Sequence, residues 1–134
     1  FLMREKIETE LYNKLKSELP PAMRETFVHG HSTDARKIPY ISVDVGEIKP
    51  FADFTEEDGI FEASVNIAIA DSAHNISYCE LFKRIRAIQN VLNGYKYESY
   101  EFVINALWFE NDSDARDDNN MGTVLTYRAI VQFL

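Results

Sequence analysis

The sequence predicts an α+β fold: a two-layer sandwich in which a mainly antiparallel β-sheet carries two helices on one face, in the order α-β-β-α-β-β. Three observations predict it. Two segments place apolar residues at helical spacing, several others alternate strictly between apolar and polar, and proline and glycine punctuate the boundaries between them. The 134 residues form a single domain, residues 1–134, too short for two ordinary ones.

Residues 4–19 read as the first helix. Ile7, Leu11, Leu15 and Leu19 recur every four residues with Tyr12 beside them, and Glu and Lys fill the other faces. Pro20-Pro21 stops it, because proline lacks an amide hydrogen and restrains the residue before it. Met3 reads as the natural first residue, with Phe1 and Leu2 added ahead of it. The stretch 22–38 reads as an irregular loop with a short extended piece at Thr26–His29.

Strands follow. From Pro39 to Gly46, Ile41, Val43 and Val45 share one face and Ser42 and Asp44 the other. A loop of acids and breakers, 47–59, leads to a second run, 60–70, in which Phe61, Ala63, Val65, Ile67 and Ile69 alternate with Glu62, Ser64, Asn66 and Ala68. Adjacent alternating runs joined by such a loop predict an antiparallel pair.

A second helix is predicted over Ser77–Leu92. Its apolar stripe is Tyr78, Leu81, Phe82, Ile85, Ile88 and Leu92, and Asn93-Gly94 ends it through the left-handed conformation glycine accepts. Residues 100–109 and 122–133 read as the last two strands. The final one is apolar on both faces in part, which predicts a central position.

The charge narrows the function. Fourteen basic against 22 acidic side chains give −8, and 46% of residues are hydrophobic, so a packed core is expected and disorder is not. The excess argues against a protein that wraps nucleic acid or binds an anionic membrane. It is also uneven: residues 1–49 hold 8 basic and 8 acidic side chains, and residues 50–134 hold 6 and 14. The single Cys79 permits no internal disulfide and fits a reducing compartment. Neither a signal peptide nor an apolar run long enough to span a bilayer is evident.

Few residues invite chemistry. The acidic loop from Glu110 to Asn120 opens like an EF-hand with Asp112 and Asp114. Arg116 then stands where an oxygen ligand belongs, Asp117 replaces the required glycine and Thr123 the closing glutamate, so the EF-hand reading fails. A looser divalent site competes there with a solvated loop that a partner orders. His29, His31 and Asp34 lie close enough for zinc, but His74 is the only other histidine and is distant, which favours a polar loop. Cys79 opens the second helix without a partner motif, and beside Tyr78 and Phe82 it reads as core. With no phosphate-binding loop, dinucleotide fingerprint or nucleophile elbow, no enzyme, cofactor or metal is expected.

The succession of segments resembles the phage tail terminator (tail completion) family. The features that carry the resemblance are the amphipathic opening helix Arg4–Leu19, the loop ending in Pro39-Tyr40-Ile41-Ser42-Val43, the acidic loop, the strand Phe61–Ala70, the helix Tyr78–Leu92 closed by Asn93-Gly94, and the long two-stranded end finishing in Thr123–Leu134. They cover nearly the whole chain, and none is a catalytic signature.

The resemblance implies a structural virion or prophage protein, assembled in the host cytoplasm. Such a protein forms a homo-oligomeric ring, commonly a hexamer. It caps the tail tube protein, stops its polymerisation and receives the head-tail connector, while DNA passes through without specific binding. Another head-tail joining (neck) protein fits the same segments. A small non-enzymatic α+β binding domain with an acidic partner- or cation-binding loop is the alternative of a different class. The residues expected to dock a partner or line the lumen are Glu110, Asp112, Asp114, Asp117 and Asp118, with Asp53, Glu56, Glu57 and Asp58 in the earlier loop.

Overall fold

A computed structural model describes residues 2–26, 39–114 and 119–134. It has the α+β fold, with an antiparallel five-stranded sheet and three helices. The elements are α1 (Leu2–Glu18), α2 (Pro21–Thr26), β1 (Tyr40–Pro50), β2 (Ile60–Ser72), α3 (Tyr78–Leu92), β3 (Tyr97–Glu98), β4 (Phe102–Asp114) and β5 (Asn120–Phe133). In space the strands run β1-β2-β5-β4-β3. The last long strand is therefore central, as its two-faced apolar pattern predicts.

Register explains the layering. Directly opposed residues share a face in an antiparallel pair. Val43 meets Ile67 and Ile67 meets Leu125; Val45 meets Val65 and Val65 meets Tyr127. All six are buried, and they form the floor on which Ile7, Leu11, Leu15 and Leu19 of the α1 segment and Leu81, Ile85, Ile88 and Leu92 of α3 pack. The opposite face is mixed, with Trp108, Val124 and Ile130 among polar residues. There Thr126 Oγ1 donates to Asn66 Oδ1 at 3.2 Å, and Arg128 is held by Glu62 and Glu110.

Four features differ from the sequence expectation. Pro21 opens a short helix instead of a loop, because a proline at the first helical position has no amide hydrogen to lose and a preset φ. The amides of Met23 and Arg24 bond to the Pro20 carbonyl at 2.9 and 3.0 Å, and Met23 is buried. Thr26 thus ends a helix; residues 27–29 of the expected extended piece lie outside the described residues. β1 runs to Pro50 and β4 to Asp114, so Glu47 and residues 110–114 belong to strands; ladder pairing of Asn111 to Asp114 overrides the low strand propensity of Asp and Asn, while Glu47 and Glu110 sit at register shifts. Finally, β3 is a two-residue strand paired at Tyr97 and Glu98 that periodicity is too short to reveal.

Side chains tie the layers together. Glu8 is nearly buried; its Oε2 accepts the Val45 amide at 2.8 Å, and Arg4 donates to the Gly46 carbonyl at 2.7 Å. The helix thus occupies outward-facing groups of the edge strand β1, next to a register shift between Val45 and Ile48. Both devices blunt an edge that would otherwise pair with another chain. At the other end of the sheet, Asp71 is 3% exposed and holds Arg84 of α3 at 2.7 Å, while its second oxygen takes the Ser72 amide at 2.6 Å. Ser77 caps α3 by accepting from the Glu80 amide at 3.2 Å.

Two tyrosines couple the fold to pH. Burial pushes the Tyr127 hydroxyl up to about 12, and Tyr95 is raised further by burial and then by its hydrogen bond to Glu10. Both folded-state values exceed the unfolded one near 10, so the unfolded chain ionises first. Their stabilising contribution is complete below about pH 10 and is lost as pH rises towards 12. Denaturant titrations followed by circular dichroism should show stability falling over this interval, and Tyr127→Phe should make the fall shallower.

Candidate partner-binding site

Among the described residues, Asp112 and Asp114 lie at one end of the sheet and Asp53, Glu56, Glu57 and Asp58 at the other. Ile60 pairs with Gln132 at one end of the β2–β5 ladder and Ser72 with Asn120 at the other. The 13 residues of β2 between them span roughly 40 Å at the usual strand rise. Among the described residues, no single loop cluster gathers the expected acids. They form two separate surfaces.

The first surface is the far end of the β4–β5 hairpin. Asp112 pairs with Leu125 and Asp114 with Thr123, so both acids project from the helix-bearing face. They are exposed, and with Ser113 and Thr123 they form one wall of a groove of about 420 Å³. Tyr78, Leu81, Phe82 and Ile85 of α3 form the other wall. Thr123 Oγ1 donates to the Ser113 carbonyl at 2.9 Å and fixes the strand positions under the acids.

Glu110 does something else. Its carboxylate accepts from Arg128 Nε at 3.0 Å, while Glu62 accepts from Nη1 at 2.6 Å, and Glu110 first, then Glu62, stabilises the charged guanidinium. Asp117 and Asp118 lie outside the described residues, as do His29, His31 and Asp34.

Phe82 and Tyr78 depart from the core expectation, at 63% and 45% exposed. Leu81, Ile85, Ile88 and Leu92 suffice to bury the helix, whereas Phe82 sits one residue round from that stripe, about 100° away. Their rings meet at a centroid distance of 6.3 Å. Cys79, expected in the core, is exposed for the same reason. The sequence signal was available: a stripe already complete at 81, 85, 88 and 92 leaves 79 and 82 on the solvent side.

The second surface is the β1–β2 turn. Phe51 donates its amide to Ile60 and Phe54 to Phe51, both at 3.0 Å, and a single 3-10 turn covers Glu56–Asp58. Asp58 Oδ2 accepts the Thr55 amide at 2.7 Å, which commits that carboxylate to the turn. Gly59 closes it at φ +72, and its carbonyl takes the Phe133 amide at 2.8 Å. A Cβ at Gly59 would stand 2.7 Å from the Phe133 carbonyl oxygen, so strain and contact both select glycine. Asp53, Glu56 and Glu57 remain exposed around this turn. Beside them lies a recess of about 650 Å³ lined by Met3, Arg4, Pro50, Phe61 and Phe133 among others.

Among the described residues, no three His, Cys, Asp or Glu side chains are placed to share a metal ion. No described helix is long and apolar enough to cross a membrane. Residues 6–132 match the family model of the YfjL-like C-terminal domain, and the chain belongs to that family. No curated protein matches it.

Proposed function

We propose that this member of the YfjL-like C-terminal domain family is a non-catalytic assembly protein of the tail-terminator type. It forms a ring that caps a tail tube on one face, receives the head connector on the other and lets DNA pass unread. The observation that carries the proposal is the pair of exposed acidic surfaces at opposite ends of one sheet. A subunit of a two-faced ring needs two independent docking surfaces, and long paired strands hold them at a fixed separation. The acidic excess also suits a conduit, since like charge keeps DNA from adhering to the wall.

The experiment reverses one end at a time. Lysine at Asp112 and Asp114 should leave stability within about 1 kcal/mol, because exposed charges contribute little to folding. Lysine at Asp53, Glu56 and Glu57 should behave alike. Each set should impair docking to one partner and spare the other, measured by pull-down against tube and connector separately. If neither set affects either docking step, the surfaces are not used and the proposal fails.

The groove on the hairpin surface favours a second reading, a small binding module that takes a basic segment. Two exposed aromatic rings beside two carboxylates suit a lysine or arginine side chain, through cation–π and ionic contacts together.

A further inference from the structure

The two edges of the sheet are finished differently. On β1, Glu8 and Arg4 of α1 occupy outward-facing backbone groups. On β4, the short strand β3 covers only Val103 and Ile104. From Ala106 to Asp114 the strand neighbour among the described residues is β5 alone. In an antiparallel pair every second residue turns its N–H and C=O away from the partner strand. The outer side of β4 therefore offers a row of backbone donors and acceptors, a template for another strand. Bulges at Asn105 and Glu110 divide it into two regular runs, 106–109 and 111–114.

Exposure follows the same pattern. Trp108 to Asp114 are all exposed, on both faces, although β5 beside them alternates buried and half-buried positions. Trp108, opposite Arg128, projects from the face away from the helices; Phe109, opposite Tyr127, projects from the helix-bearing face. Each ring is 40% exposed. Asp112 and Asp114 share the face of Phe109 and stand across the groove from Tyr78 and Phe82.

Charge chooses the occupant. A second copy pairing through the same 111–114 run would set Asp112 and Asp114 beside their own counterparts, which is unfavourable in a ladder. A strand that carries lysine or arginine removes that repulsion. We propose that the free edge of β4 takes up an extended basic segment of a partner protein as an added strand. Its backbone completes the ladder, and its side chains alternate between the two faces. The basic side chains on the helix-bearing face meet Asp112 and Asp114 and lie against the Phe82 and Tyr78 rings. Apolar side chains on the other face cover Trp108. The proposal rests on the binding-module reading of the hairpin groove and adds how the segment is held.

A capped peptide of about ten residues that alternates lysine and valine is the probe. Hydrogen exchange of the isotopically labelled protein, followed by nuclear magnetic resonance, is measured with and without it. The expected result is saturable binding that slows exchange about tenfold or more at alternate amides between Ala106 and Ser113. The same peptide with its central amides methylated keeps the charges and loses the donors, so it should bind about tenfold more weakly or worse. Asp112→Asn combined with Asp114→Asn should weaken binding about tenfold, and Phe82→Ala about threefold. All three positions are exposed, so these variants keep the fold. Binding that leaves exchange along β4 unchanged, or equal affinity for the methylated peptide, would overturn strand addition and leave the groove reading standing. Absence of any binding would overturn both.

Discussion

Leu11→Asp is expected to give a chain with no cooperative thermal transition. Leu11 is fully buried at the centre of the α1 stripe, between Ile7 and Leu15. The substitution removes a leucine side chain's burial, a loss of about 2–5 kcal/mol, and forces a carboxylate into an apolar site at further cost. A domain of this size has only about 5–15 kcal/mol in hand. Helix propensity cannot compensate, since an isolated helix of this length is marginal in water without its packed face. Circular dichroism during heating reads the outcome, and a transition within a few degrees of the parent would show that α1 is not integral to the core.

Asp71→Ala is the second large effect. The carboxylate is almost wholly enclosed and satisfies two partners, the Arg84 guanidinium and the Ser72 amide. Removing it takes one carboxylate from a mostly buried guanidinium and frees an amide, at a cost of about 2–4 kcal/mol. For a chain of this length that lowers the melting temperature by roughly 10–20 °C. Asp71→Leu combined with Arg84→Leu should recover part of the loss, because an apolar pair carries no desolvation penalty. A single-variant loss below about 1 kcal/mol would mean that the ion pair is not what seats α3 on the end of β2.

Most of the fold was legible because burial on one face writes a period into the sequence. The alternation 61, 63, 65, 67, 69 and the spacing 81, 85, 88, 92 both survive as buried sets. What escaped notice had no period of its own. The strand at Tyr97–Glu98 is two residues long, and α2 is a six-residue helix set by Pro21. Asn111 to Asp114 read as a loop from composition, yet pairing with Leu125 and its neighbours makes them strand. Polar residues prolong a hairpin when one partner strand is strongly β-forming.

The candidate surfaces were legible as residues and hidden as geometry. Composition marked both acidic segments, but only the register of β2 against β5 places them at opposite ends. The pairing of Glu110 with Arg128 joins residues 18 apart across the hairpin, and no local pattern announces it.

The central claim is that two ends of one sheet serve two partners in a capping ring. Electron microscopy of tubes polymerised from a tail tube protein, with and without this protein, tests it most directly. The account predicts that adding the protein places a ring on one end of each tube and arrests elongation there. Tubes that lengthen unchanged and carry no added density at either end would contradict it.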